Sequence, residues 1–292
     1  MNDIVYQNRI RVYIYMTLLM MLAGLLGHFL SQAFNWGLSG TGVFLIIGGI
    51  TNLFAYFFSD TLILRASKAI PLTREQVPEL FQMTEDMCKE NGLPMPKLYL
   101  LEDSSMNAFA TGRDPKHAAV AVTRGLLEKL NSNEVKGVVA HELSHVRHWD
   151  TLLMTFVAIG VGLISILADI YWRSQLVSKA EEKDRSGVLS VISLCLAVFA
   201  PLAAMFIQLA ISRRREFMAD ASGACMAKSS SSLASALEKI SLDRRPLPSM
   251  NAATAHLFFS NPIEEGGLID KLFSTHPPIK ERIEKLNQLQ IS

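Results

Sequence analysis

Two early stretches of the chain, Val12 to Leu30 and Leu38 to Phe58, contain no Asp, Glu, Lys or Arg and are mostly apolar. About 20 such residues cross a hydrocarbon core of roughly 30 Å, so both read as membrane spans joined by a short uncharged turn. A second pair follows at Thr151 to Ala168 and Val188 to Ile211. The last is bent at Pro201, because proline lacks the N–H that a helix interior needs. Four membrane helices are expected. Ser31-Gln32-Ala33 offers a small-x-small cleavage site, but the apolar stretch before it exceeds the ~7 to 15 residues of a signal-peptide core. A retained anchor is the expectation.

Between and after these pairs the pattern becomes that of a folded domain. Thr73 to Asn91 has helical spacing and stops at Gly92. Leu98 to Leu101 and Ala118 to Val122 are short apolar runs bounded by Asp, Ser, Gly and Pro, which reads as a strand pair. Asn131 with Glu134 three residues on has the form of a capping box, and Val135, Val138 and Val139 then give an apolar helical stripe. A charged helix is expected from Ile279 to Leu289.

Composition agrees with this division. Of 292 residues, 50% are hydrophobic and the mean hydropathy is +0.25, an excess that the apolar pairs account for. A net charge of +1, with no basic patch interleaved with aromatics, argues against nucleic acid as a partner. Cys88, Cys195 and Cys225 are widely spaced, so free thiols are expected rather than a metal motif or a disulfide framework.

The helix that begins at Asn131 carries His141-Glu142-Leu143-Ser144-His145. Residues four apart share a helical face, so both imidazoles can reach one ion at about 2.1 Å. Glu142, rotated away, is better placed as a base that takes a proton from an attacking water. A catalytic zinc site has three protein ligands and one open position. An HExxHxxGxxH pattern does not supply the third, because His148 stands at the glycine place and Thr151 at the last histidine place. Glu216-Phe217-Met218-Ala219-Asp220 does. Its carboxylates share a face, so Glu216 can ligate while Asp220 accepts from the far nitrogen of His141. The alternative is a solvated helix end with Glu216 paired to Arg213. Gly137, Ala140 and Ser144 on one helix and Ala219, Ser222 and Gly223 on the other would let the two backbones approach closely.

Two further segments are candidates. Asn107-Ala108-Phe109-Ala110-Thr111-Gly112, between the expected strands, could form an exposed edge strand that holds a substrate peptide by backbone hydrogen bonds, or a plain hairpin connection. His276, in Ser274-Thr275-His276-Pro277-Pro278, could stabilise a tetrahedral oxyanion or act as a turn residue. His28, His117, His148 and His256 have weaker claims, and the scattered methionines read as core and lipid-facing filler.

Placement follows from charge and parity. Arg9 and Arg11 precede the first span and Arg65, Lys68 and Arg74 follow the second, so the N-terminus and the histidine motif are expected on the cytoplasmic side. Arg213, Arg214 and Arg215 agree, whereas Arg173, Lys179, Lys183 and Arg185 fall on the opposite side of this topology. His145 precedes the third span and Glu216 follows the fourth, so an even number of crossings leaves them in one compartment. The expected plan is a transmembrane hairpin at 1–58, a catalytic part at 59–150 with the edge strand and HExxH helix, a second hairpin at 151–211, and a catalytic part at 212–292 with the third ligand. In fold class this is mainly α with a small β-sheet (α+β), about four transmembrane helices plus a zincin-like metallopeptidase domain.

With HELSH, EFMAD, NAFATG, FFSNP and STHPP together, the chain resembles the HtpX-type membrane zinc metalloproteases, HExxH plus ExxxD gluzincins related to the CAAX prenyl endopeptidases. The resemblance covers essentially the full length. It implies a multi-pass endopeptidase of the bacterial inner (plasma) membrane, active in stress response and membrane-protein quality control, with one zinc on His141, His145 and Glu216 and catalysis by Glu142. Expected partners are the lipid bilayer and unfolded or membrane-protein substrates; nothing in the sequence sets an oligomeric state. A non-enzymatic adaptor with structural zinc would need a fourth protein ligand, and a transporter would need paired ionisable residues within its spans. Neither is evident.

Overall fold

The structure, a computed structural model, describes residues 2–33, 37–155, 213–243, 245, 257–259 and 277–290. The body of the second apolar pair, the loop between its spans, Cys195, His256 and His276 lie outside the described residues.

Two long helices come first, α1 (Asn2–Ala33) and α2 (Gly37–Ala66), packed against each other. α2 opens at Gly37, whose φ of 65° a side chain would disfavour. Among the described residues one stretch, Gly37–Phe58 in α2, is long and apolar enough to cross a membrane. α1 carries Asn8, Arg9 and Arg11 ahead of its apolar part.

The chain then forms β1 (Ile70–Pro71), α3 (Pro78–Glu90), β2 (Lys97–Leu101), β3 (Ala108–Gly112), β4 (Ala118–Thr123), α4 (Arg124–Lys129) and α5 (Ser132–Arg147). After the second apolar pair come α6 (Arg213–Ala227), α7 (Ser230–Ser241) and α8 (Ile279–Gln288). The protein is mostly helical with one small mixed sheet. α3 begins five residues later than its spacing suggests. Pro78 is at its first turn, proline disfavours helical backbone in the residue before it, and Thr73–Gln76 is a turn closed by Thr73 N–H donating to Gln76 Oε1 at 2.9 Å.

The sheet order is β1-β2-β4-β3, with β2 and β4 parallel and the outer pairings antiparallel. β3 is therefore an edge strand. Its side chains are all buried, which corrects the expectation of an exposed strand. On one face Ala108 and Ala110 pack into the core around α5; on the other Phe109 meets Ile63 and Leu64 of α2 and Phe258, with the two aromatic rings 5.1 Å apart.

α5 starts at the capping box read from its sequence. Glu134 N–H donates to Asn131 Oδ1 at 3.0 Å and Asn131 N–H to Glu134 Oε2 at 2.9 Å. The Glu134 carboxylate also accepts from Ser235 and Lys239 of α7. α5 is buried almost throughout and lies between the sheet and α6. The small-residue contact is divided between two helices. A Cβ on Gly223 of α6 would come within 2.8 Å of the His141 backbone, whereas Gly137 faces Leu233 of α7.

Candidate metal centre

The helical spacing of α5 stacks His141 and His145 with their Nε2 atoms 3.2 Å apart. From α6, Glu216 places Oε2 at 3.7 Å from His141 Nε2 and Oε1 at 3.6 Å from His145 Nε2. All three residues are buried and their ligand atoms lie within 4.8 Å of one another. A tetrahedral ion with ligands at about 2.1 Å separates them by roughly 3.4 Å, close to what is found.

The far side of each imidazole decides what its near side offers. His141 Nδ1 lies 2.9 Å from Asp220 Oδ1, and His145 Nδ1 lies 3.1 Å from Asp150 Oδ2. A carboxylate accepts, so each Nδ1 carries a proton and each Nε2 would be left to turn its lone pair to a bound ion. Asp220 takes the place beside His141 that its spacing after Glu216 predicts, whereas no spacing points to Asp150. It follows the turn at His148 and Trp149, where Trp149 adopts φ 62°, and begins the helical, buried segment 150–155.

Arg282 of α8 is also absent from the sequence reading. It has no exposed surface, and its Nε and Nη2 donate to Asp220 Oδ2 and Oδ1 at 2.9 and 2.7 Å. Its guanidinium lies 4.8 Å from the Phe259 ring, which stands edge-on to His141 with centroids 4.9 Å apart. The signal was available: Arg282 interrupts the stripe Ile279, Ile283 and Leu286 that packs on the core.

Charge supports a cation here. Four buried carboxylates, Glu142, Asp150, Glu216 and Asp220, face two buried guanidiniums, Arg215 and Arg282. Counted with every carboxylate ionised and both imidazoles neutral, as they would be when ligating, the negative excess of two is what a divalent ion would balance. Burial, then the charge of Glu216, pushes the Glu142 carboxyl up to about 7, although His145, the Ala110 N–H and Arg282 oppose it. Burial would lower His145, but the Asp150 hydrogen bond and the charges of Glu216, Asp150 and Glu142 push it up to about 9. His141 moves down, because burial outweighs Asp220. Burial would raise Asp220, yet Arg282 and His141 hold it well below the usual carboxylate range. Two imidazole nitrogens and a carboxylate, with tautomers set and a matching charge deficit, fit a divalent metal.

The buried Glu142 carboxylate feels the charges of His145 and Glu216 and interacts with the Ala110 backbone N–H of β3. The segment Asn107 to Ala110 is thus brought beside the centre. Ala108 C=O accepts from Phe259 N–H at 2.8 Å, and Asn107 Oδ1 from Ala108 N–H at 3.0 Å. His148 is buried in the turn, with Nδ1 3.2 Å from Ser144 Oγ.

This arrangement, an HExxH helix crossed by a second helix bearing a glutamate, defines a metallopeptidase. The model of Peptidase family M48 matches residues 74–290, and the chain belongs to that family. It is a hydrolase of peptide bonds. A protease HtpX homolog of Thermoanaerobacter pseudethanolicus is 43% identical over 289 residues, 97% of this chain and 96% of the relative. A protease HtpX homolog of Caldanaerobacter subterraneus subsp. tengcongensis is 41% identical over 291 residues, 98% and 96% respectively. Among solved structures, S. mikatae Ste24p has a similar fold, with a TM-score of 0.52 at 18% identity over 95% of this chain and 67% of that one.

Proposed function

We propose that the chain is a zinc-dependent endopeptidase of the bacterial inner membrane that cleaves misfolded or damaged membrane proteins as part of a stress response. The observation that carries the metal and the chemistry is the convergence of His141 Nε2, His145 Nε2 and the Glu216 carboxylate, with each imidazole oriented by a buried aspartate. One nitrogen-rich set of three protein ligands with a single carboxylate suits one catalytic zinc per chain. The chemistry that zinc supplies when bound is Lewis acidity toward a peptide carbonyl and an attacking water.

The chain's own residues do the rest. Glu142 takes the proton of the water and returns it to the leaving amine. The Ala110 N–H keeps that carboxylate directed, and Asp220 and Asp150 keep the imidazoles fixed. Substrate binds extended along β3 at Asn107 to Ala110, competing with Phe259 for the Ala108 carbonyl. His276 enters to stabilise the oxyanion.

A membrane setting is supported by the outward apolar face of α2, where Ile46 and Ile50 are 64% and 62% exposed. Four spans, with the active site toward the cytoplasm, follow from the apolar pairs and the basic residues flanking the first pair. The test is cleavage of casein by the detergent-purified chain. Loss of cleavage with chelator and its recovery with zinc support the reading; cleavage unaffected by metal removal contradicts it.

A further inference from the structure

Asn8 lies on α1, far in sequence from any residue of the centre, yet it is 1% exposed and its amide nitrogen is directed at the turn beside that centre. Its amide nitrogen donates to Asp150 Oδ1 at 2.7 Å and to His148 C=O at 3.0 Å. Its carbonyl oxygen accepts from Arg11 Nη1 at 3.3 Å. The other oxygen of the same Asp150 carboxylate accepts from His145. Between His148 and Asp150 stands Trp149 in the left-handed region, a conformation that costs a bulky residue free energy and persists only where neighbours hold it. Arg9 lies over the Trp149 ring at 5.3 Å. One amide thus ties both ends of a strained turn, and that turn carries the carboxylate that orients a metal ligand.

We propose that Asn8 is a positioning residue for the metal centre, holding the Asp150 carboxylate so that His145 keeps its tautomer and aims Nε2 at the ion. The inference rests on the zinc reading above. An unanchored Asp150 has two competing partners, His145 and Arg215, whose Nη1 is 3.6 Å away. The Asn8 amide occupies the oxygen on the Arg215 side and leaves the other for the imidazole. The first helix is then part of the active centre, and the site is complete only once α1 has docked on the turn.

Zinc release from the full-length protein in detergent to a chromophoric chelator, followed beside thermal melting, tests this. Asn8→Leu keeps the branching at Cγ and removes the amide, and zinc release becomes about 10-fold faster, the low end of what such outer hydrogen bonds contribute. Asn8→Gln, which retains an amide, recovers part of the difference. Asn52→Leu is the structural control. Asn52 is a second buried amide between the helices, donating to Met16 C=O at 3.2 Å, and its loss lowers melting without changing zinc release. In an Asp150→Ala background Asn8→Leu adds nothing further. If Asn8→Leu does not fold, Asn8→Ser takes its place in the same comparison. Wild-type release rates in the Asn8 variants, or an equal effect with and without Asp150, overturn the inference. A wild-type chain that takes up no zinc overturns the metal reading itself, so the two failures are distinct.

Discussion

The helix pair α1–α2 and the domain that holds the metal ligands place their residues in opposite ways. In the pair, apolar side chains such as Ile46, Ile50 and Phe54 face outward while Asn8, Ser31 and Asn52 are buried. In the domain, Leu143, Val138 and Val139 are fully buried, and the charged groups admitted to the interior are paired, as Asp220 is with Arg282 and Glu134 with Lys239. For a helix pair set in a membrane, as proposed above, the difference is one of solvent. A lipid-facing surface gains nothing by hiding its apolar groups, so hydrogen bonds and close packing hold the helices together. In water the apolar side chains must be withdrawn, and each buried charge needs a partner. Asn8 belongs to both schemes, binding the helix pair to the turn that supports His145.

The contrast is broken most sharply at the charges. Glu142→Gln keeps shape and metal but removes the base, and casein cleavage is expected to fall by about 10²- to 10⁴-fold with zinc content unchanged. Retained cleavage would remove Glu142 from its role. Arg282→Met leaves Asp220 buried without its guanidinium and should cost roughly 3–5 kcal/mol in thermal unfolding. Within the same domain Leu143→Ala should cost about 2–5 kcal/mol.

The acid side of the stability profile follows from Asp220. Burial opposes its ionisation, but Arg282 and His141 outweigh burial and hold the folded carboxyl below its usual value. Its contribution is therefore present above the ordinary carboxylate range and is lost as pH falls below it. The melting temperature should drop through that acid window in the wild type and drop less in Arg282→Met. The smallest effect is expected on the outer face of α2, where Ile46→Ala should change unfolding in detergent by less than about 0.5 kcal/mol. A loss as large as that of Leu143→Ala would show that this face is packed against protein.

Local geometry explains what could be read without coordinates. The i, i+4 spacings of His141 with His145 and of Glu216 with Asp220 are properties of one helix turn, so sequence displays them directly. The capping box of α5 is equally local. Asp150 depends on a left-handed turn at Trp149 that no pattern announces, and Asn8 reaches it from a different helix. Arg282 left a trace as a charge within an apolar stripe. That β3 lies at a sheet edge is consistent with its place between two apolar runs. Its cover comes from Ile63 and Leu64 of α2 and from Phe258 and Phe259, about 150 positions later, and depends on tertiary packing alone.

The account stands on Glu216 sharing a zinc ion with two histidines on another helix. Zinc content and affinity of the purified chain, measured for the wild type and for Glu216→Ala, test it most directly. One zinc per wild-type chain, with affinity lost in the variant, is the predicted result; stoichiometric zinc held at wild-type affinity without the Glu216 carboxylate would contradict it.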